Sequence, residues 1–403
     1  MPEPVVVATA RSPIGRAFKG CMTEVRPDDL AAEIVKAALA KVPQLDPAEI
    51  DDLMLGCGLP GGEQGFNMGR VVSILAGLPD VPGCTITRYC SSSLQTIRMA
   101  AHAIRAGEGD AFVAAGVETV SRFIKGNSDS LDDTMNPRFA AAAARTEERA
   151  EGGHGVWVPP TDLPDVYIAM GQTAENVAEV EGISRQEMDA FAKRSQDRAV
   201  ASQRNGFFAR EITPVTTPSG QVADTDDGPR PGTTMERLGE LQPVFRADGR
   251  VTAGNACPLN DGAAAVIVMS DTRASELGIT PLARIVSSGV TALNPEIMGL
   301  GPVEASRQAL KRAGMTIDDV DLVEINEAFA AQVIGSARHL GIDEDKLNVN
   351  GGSIAVGHPF GMTGARIMTT LLNGLRRADA RVGLETMCVG GGQGMAMVVE
   401  RLA

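Results

Sequence analysis

The chain has 403 residues, a hydrophobic content of 43% and a formal net charge of −14. At about 150 residues per domain this length allows two or three domains, and a chain so long needs no disulfide or metal staple to hold a core. The acidic balance argues against nucleic acid or an anionic membrane as partner, and no apolar run approaches the ~20 residues of a membrane span. The 45 glycines and 3% aromatics point to many tight turns and a core of Ala, Val, Ile, Leu and Met. Six cysteines (Cys21, Cys57, Cys84, Cys90, Cys257 and Cys388) form no CxxC pair and no zinc-finger spacing, so no metal site is expected. The opening MPEPVVVATARSP lacks a basic segment followed by an apolar one, so no signal peptide is expected. These features describe a reduced, cytoplasmic, soluble α/β protein.

In chain order, VVVATA after Pro4 is a candidate buried strand. RPDDLAAEIVKAALAKV predicts a helix started by Pro27, Asp28 and Asp29. DDLMLGCG reads as a strand, MGRVVSILAGLP as a helix stopped by Gly77 and Pro79, and CTITRYC as a strand. SSSLQTIRMAAHAIRAGEGD is a helix opened by serines and closed by Gly107. AFVAAGVE is a further buried strand, and it offers the one candidate interface element between copies of the chain. The alternation predicts a predominantly parallel sheet with helices on its faces.

The order recurs. ARIVSSGV (283–290) resembles the first strand, and GPVEASRQALKRAGMTIDDVDLVEIN (301–326) parallels DLAAEIVKAALAKVPQLDPAEIDDLMLG (29–56). EAFAAQVIGSARHLG then predicts a helix, and NVNGGSIAVGHPFGMTGARIMTTLLNGLRR a strand, a glycine loop and a helix. TMCVGGGQGMAMVVE reads as strand, loop and strand. The pattern predicts two halves of similar fold about a pseudo-twofold axis. The first is residues 1–121, completed by about 260–281, and the second is 282–403. Residues 122–259 fit neither half. Polar NSDSLDDTMNP, Gly- and Pro-rich EGGHGVWVPPTDLPD, a pair of amphipathic helices (MGQTAENVAEVEGISRQEMDAFAKRSQDRAVASQ) and loop-rich TDDGPRPGTTMERLGELQPVF describe an inserted loop domain.

Cys90 stands where a strand ends and a long helix begins. Unpaired N–H groups and the positive helix end favour thiolate there, and thiolate is the nucleophile. The alternative is a buried structural cysteine. Of the four histidines, His102 lies inside a helix, His339 near a helix end and His154 in a glycine loop. His358, in NGGSIAVGHPFGMTG, is the best candidate for a base, because the glycines allow a ligand close approach. Cys388 precedes VGGGQG, whose N–H groups suit an anion nest or a tight turn. Asn326, at the end of VDLVEI, suits a carbonyl-polarising role or a helix cap.

These blocks together resemble the thiolases, acyl-CoA acetyltransferases, over essentially the whole chain. RSPIGRAFKG resembles the family's opening segment, RYCSSSLQT its nucleophile motif and VTAGNACPLNDGAAAV its CoA-contacting segment. INEAFA (325–330), NVNGGSIAVGHPFGMTGAR (348–366) and CVGGGQG (388–394) resemble its remaining catalytic blocks. The resemblance implies a five-layer αβαβα fold with two pseudo-twofold related halves and a loop domain over the site. It implies that Cys90 takes the acyl group, that His358 accepts the Cys90 proton, and that Cys388 moves the proton at the acetyl α-carbon. Asn326 would hold a water that completes one oxyanion hole with His358, and the backbone N–H groups of Cys90 and Gly390 would form a second. Met170, Arg230, Phe245, Ala253, Cys257, Met298 and Phe329 would contact CoA. No metal or prosthetic group is implied, CoA is a substrate, and a homodimer or homotetramer is expected. Two departures stand out. Asn255–Ala256–Cys257 replaces a common NAS, and Ala169 stands where short-chain acetoacetyl-CoA thiolases often carry His. The second favours a degradative 3-ketoacyl-CoA thiolase with a broader acyl pocket. The rivals are a biosynthetic acetoacetyl-CoA thiolase and a hydrolase or condensing enzyme on the same scaffold.

Overall fold

A computed structural model describes residues 2–126 and 134–403; Met1 and residues 127–133, the start of the polar stretch in the expected insertion, lie outside the described residues. The elements that build the sheet and the site are, in chain order, the strands β1 (Pro4–Arg11), β2 (Asp52–Cys57), β3 (Gly83–Ile86), β4 (Ala111–Thr119), β5 (Asn260–Ser270), β6 (Ala283–Ala292), β7 (Leu322–Ile325), β8 (Val382–Val389) and β9 (Gln393–Arg401). The helices are α1 (Pro27–Leu39), α2 (Met68–Leu75), α3 (Ser92–Ala106), α4 (Met170–Val180), α5 (Arg185–Arg204), α6 (Gly301–Ala313), α7 (Ala330–Leu340) and α8 (Thr363–Ala378). Local chemistry sets several ends. α1 starts on Pro27 with Asp28 and Asp29 in its first turn. α3 ends at Gly107, whose φ is 75°. Ser184 and Glu187 form a capping box at the start of α5.

The strands lie in the order β7-β8-β9-β6-β1-β5-β4-β2-β3. The run β2-β4-β5-β1 in one half matches β7-β8-β9-β6 in the other, so the repeat read from sequence is a repeat of topology. The two runs meet where β1 pairs with β6 through Val5↔Arg284 and Val6↔Ala283. The sheet is mixed, where the sequence predicted mostly parallel pairing. Parallel pairs are β2·β3, β2·β4 and β7·β8, and the other pairings between these named strands are antiparallel. For β8 and β9 the cause is the connection. The three-glycine turn after Val389 is too short for a crossover, so β8 and β9 form a hairpin. AFVAAGVE, expected as an interface element, is β4, buried along its whole length between β2 and β5. The edge strand in that half is β3.

The strand expected at NVN is a single bridge, Leu347 to Val323. Asn348, at φ 48°, replaces the rest of the ladder with its side chain. Its Oδ1 accepts from Ile325 N at 2.9 Å and its Nδ2 donates to Ile325 O at 2.9 Å. This frees residues 350–362 from the sheet and leaves them as a loop with one helical turn at Ser353–Val356.

Alternating side chains sort into three apolar clusters, and these define five layers. Val5, Val7, Leu53, Leu55 and Val113 face α1 and α2. Val6, Met54, Phe112 and Val266 of one half, with Met387, Met395 and Met397 of the other, enclose α3 and α8. Val323, Leu384, Ala396 and Val398 face α6, α7 and the insertion helices α4 and α5. The central layer is held close by glycines. A Cβ at Gly56 would lie 2.5 Å from Ser93 N, and one at Gly116 would lie 2.6 Å from Ser93 Cβ. A Cβ at Gly364 would lie 2.3 Å from Leu94 N. These contacts seat the start of α3, and Cys90 with it.

The same substitution at two places in α8 should therefore have opposite effects. Gly364→Ala pushes backbone against backbone and is expected to cost roughly 1–3 kcal/mol in urea unfolding. Gly374→Ala meets only the side-chain atoms Asn350 Nδ2 at 3.3 Å and Leu322 Cδ1 at 3.4 Å. It should be neutral or stabilising by up to about 1 kcal/mol. Equal losses at both sites would contradict the packing described.

Candidate active site

The residue before Cys90 carries the backbone strain of the site. Tyr89 has φ 42°, a left-handed conformation uncommon for a bulky side chain. Serine and arginine side chains hold it there. Arg88 N donates to Ser92 Oγ at 2.9 Å, and Ser92 Oγ donates to Tyr89 O at 2.7 Å. The Arg88 guanidinium bonds Gln95 Oε1 at 3.1 Å and Gln393 Oε1 at 2.6 Å, joining α3 to the turn after β8. Cys90 is thereby fixed in a 3-10 turn, Tyr89–Ser91, that runs into α3.

The thiol does not rest as thiolate. Burial pushes its pKa up to about 12, while the N–H groups of Gly390 and Cys90 pull the other way and Glu118 adds to the rise. The sequence reading saw the helix end but not the desolvation that outweighs it. Cys90 therefore needs a base at the moment of attack.

His358, the candidate base, lies in a chain of buried hydrogen bonds that starts at Arg366. The Arg366 guanidinium has no acceptor, so its Nη2 donates to Ser353 Oγ at 2.8 Å. The Ser353 hydroxyl then donates to Asn326 Oδ1 at 2.7 Å. That turns Asn326 Nδ2 toward His358 Nε2, at 3.3 Å. On the other side of the ring, Thr363 Oγ1 donates its one proton to Pro359 O at 2.8 Å. Its lone pair must therefore accept from His358 Nδ1, at 2.6 Å. With the Thr363 proton on Pro359 O, the ring carries its proton on Nδ1, and Nε2 accepts from Asn326 Nδ2. Burial, helped by the Arg366 charge, pulls the His358 pKa down to about 3, so the imidazole is neutral. Asn260 Oδ1 accepts from His358 N at 3.0 Å, and the ring meets Phe360 edge-on at 5.2 Å between centroids.

Cys388 is fully buried at the end of β8, on the side of the sheet that faces Ala328, Phe329 and Met298. Burial raises its pKa well above the ordinary thiol value, and Cys90 and Cys257 raise it further. Three sulfurs thus share one neighbourhood. Gly390 follows one residue past β8, and Gly391 and Gly392, at φ 76° and 80°, complete the turn.

A cavity of about 390 Å³ opens onto Cys90 and Gly390. Its other described lining residues include Leu59, Tyr89, Met135, Val166, Tyr167, Ile168, Ala169, Met170 and Phe360. Of the proposed CoA contacts, Met170 lines this cavity. Met298 and Phe329 are buried in the third apolar cluster, with Met170 and Phe245 packed against it. Phe245 meets Phe329 edge-on at 6.1 Å. Cys257 is half-buried and its N–H donates to Ala328 O at 3.0 Å. Arg230 and Ala253 stand on the surface, away from the cavity wall. The Arg230 loop crosses close to the His358 loop, for a Cβ at Gly228 would lie 2.1 Å from Ala355 O.

Several site residues escaped the sequence reading. Glu118, at the end of β4, accepts from Gln64 Nε2 at 2.6 Å, Gly58 N at 2.7 Å, Gly361 N at 2.9 Å and Leu59 N at 3.3 Å. Burial pushes its pKa up against these bonds, but every partner is a donor, which fits the charged form. It ties the cavity wall at Leu59 to the His358–Phe360 loop across the two halves. Glu327 is buried and accepts from Ser195 Oγ at 2.6 Å, Asn348 Nδ2 at 2.8 Å and Ile354 N at 3.1 Å, tying α5 to the same loop. A buried acid at a strand end gives no sequence signal of this kind. Thr363 and Arg366 had one, since both stand within a few residues of His358 in a glycine-rich block.

A thiol that burial keeps protonated makes a pH prediction. The rate of Cys90 alkylation by iodoacetamide should climb about tenfold per pH unit from pH 7 to pH 10. It should show no step near pH 6.5. A plateau below pH 8 would reveal a resting thiolate–imidazolium pair and contradict the reading.

Known proteins match the chain along its length. Residues 4–272 match the N-terminal domain of thiolase and residues 279–401 its C-terminal domain. The chain is 43% identical over 413 residues to the 3-ketoacyl-CoA thiolase of Bacillus subtilis (strain 168), covering 99% of this chain and 100% of the relative. It is 42% identical over 419 residues to a beta-ketoadipyl-CoA thiolase of Acinetobacter baylyi, with 100% of both covered. The crystal structure of the Bacillus anthracis acetyl-CoA acetyltransferase superposes with a TM-score of 0.86 at 37% identity, covering 100% of this chain and 99% of that one. With both domains matched and curated relatives aligned end to end, the chain belongs to the thiolase family.

Proposed function

We propose that the protein cleaves 3-ketoacyl-CoA with free CoA, giving acetyl-CoA and a shortened acyl-CoA, through an acyl group carried on Cys90. The observation that supports this best is that Cys90 and Gly390 open onto one cavity while Cys388, whose titration Cys90 influences, is buried behind them. As His358 Nε2 takes the proton, Cys90 Sγ attacks the 3-keto carbon. The C2–C3 bond then breaks, and its electron pair leaves as the enolate of acetyl-CoA. An enolate needs a proton, and Cys388 supplies it from a thiol that burial keeps protonated. CoA then attacks the thioester on Cys90, and the reverse sequence is the condensation. Charge gathers on a thioester oxygen in both directions. The N–H groups of Cys90 and Gly390 suit one such oxygen, and Asn326 with His358 the other.

In this reading CoA is a substrate and the chain's own thiols do the chemistry. CoA would run past Met170, Phe245, Met298, Phe329 and Cys257 toward Ala253 and Arg230. Degradative use is favoured over acetoacetyl-CoA synthesis, because Ala169 leaves the cavity wall open. Association as a homodimer or homotetramer is part of the reading, with the unpaired side of β3 as its support.

Thiolysis of a 3-ketoacyl-CoA, followed by loss of its enolate absorbance, should require free CoA. Loss without CoA would mark a hydrolase. Cys388→Ala should lower turnover by about 10²–10⁴. It should still take an acetyl group from acetyl-CoA onto Cys90, seen by intact mass, because that step needs no enolate proton. Cys90→Ser should take none by the thioester route. Full activity in either variant would overturn the assignment.

A further inference from the structure

The loop that carries His358 belongs to the second half, and the first half has to hold it against Cys90. Two backbone N–H groups of the loop bond side chains of the first half. His358 N donates to Asn260 Oδ1 at 3.0 Å, and Gly361 N donates to Glu118 Oε2 at 2.9 Å. These acceptors stand at adjoining ends of the paired strands β4 and β5. Glycines bring the loop close enough. A Cβ at Gly361 would lie 2.2 Å from Val117 O and 2.7 Å from Gly56 O, and one at Gly116 would lie 2.0 Å from Gly361 O. The loop thus rests on the backbone of β2 and β4 where Glu118 takes its N–H.

The Cys90 segment is tied to the same place. Glu118 also accepts from Gly58 N at 2.7 Å and Leu59 N at 3.3 Å, just past β2. Gly58 O accepts in turn from Thr87 Oγ1 at 3.0 Å, three residues before Cys90. On the far side of Cys90, the start of α3 packs on Gly56, where a Cβ would lie 2.5 Å from Ser93 N. Residues 56–59 therefore touch both the nucleophile's segment and the base's loop, and one carboxylate joins them.

That carboxylate is suited to the place by its charge. With Gln64 Nε2 at 2.6 Å, each of its oxygens accepts from two N–H groups. An amide in its position would turn its own N–H groups against donors. The charge also reaches Cys90, where it opposes thiolate. Glu118 is fully buried and is not among the described residues lining the cavity, so it acts through its neighbours.

We propose that Glu118 is a positioning residue for the Cys90–His358 pair: its carboxylate holds the His358 loop and the Cys90 segment to one reference and sets a negative charge near the thiol. This rests on the thiolase reading. Glu118→Gln keeps the shape and removes the charge. Its kcat for thiolysis should fall about 10²-fold, the cost of a displacement near 1 Å, with KM for CoA within about threefold of wild type. Iodoacetamide should alkylate its Cys90 about threefold to tenfold faster at pH 8, because the opposing charge is gone. Thr87→Val, at an exposed position, cuts one tie without altering charge, and it decides the matter if Glu118→Gln does not fold. Its kcat should fall about threefold to tenfold, at the wild-type rate of alkylation. Wild-type kcat in Thr87→Val or in folded Glu118→Gln would overturn the proposal. So would a KM that rises as far as kcat falls, or alkylation of folded Glu118→Gln no faster than wild type. Each of these leaves the thiolase reading intact. Absence of CoA-dependent thiolysis in the wild-type enzyme would sink that reading and the proposal with it.

Discussion

The site depends on one line of hydrogen bonds, from Arg366 through Ser353, Asn326 and His358 to Thr363 and Pro359. It has a direction because its ends have no choice. A guanidinium can only donate and a carbonyl can only accept. The arrangement that satisfies every group in the line puts the proton of His358 on Nδ1. A histidine held this way cannot swap tautomers without breaking two buried bonds, each costly to leave unmade. Its Nε2 then faces Asn326 Nδ2 and carries no proton of its own.

The two halves of the fold contribute different parts of that arrangement. Cys90 comes from the first half, at the start of α3. Asn326 just past β7, His358 in the loop before α8 and Cys388 at the end of β8 come from the second. The parts meet because α3 and α8 share the central layer and are pressed together at Gly364. Ser93 Oγ accepts from Ala365 N at 2.9 Å, so the start of one helix caps the other. Glu118 adds a second tie, reaching from β4 to the loop that carries Phe360. Positioning thus comes from the buried middle of the molecule, while the insertion supplies much of the cavity wall through residues 166–170.

The family was legible in the sequence through its local motifs. Cys90, His358, Cys388 and Asn326 each stand in a distinctive block, and the repeat of helix and strand announced two similar halves. What could not be read depends on distant partners. The helix end at Cys90 suggested thiolate, but burial reverses the balance, and burial is a property of the whole fold. The NVN stretch looks like a strand because Asn348 hides its role, using a side chain where a ladder bond would be. Arg366, in a helix of amphipathic pattern, looks like a surface charge until α8 is placed between two sheets. The direction of the strands followed from connection lengths, which apolar periodicity does not report.

The orientation of His358 is the point on which the rest turns, and nitrogen NMR of the imidazole-labelled protein observes it directly. The chain has 4 histidines, so a His358→Asn variant identifies the signal by its loss. If the hydrogen-bond line is oriented as described, Nδ1 carries the proton, Nε2 is bare, and neither changes from pH 8 to pH 5. A ring that becomes doubly protonated near pH 6.5, or one protonated on Nε2, would contradict it.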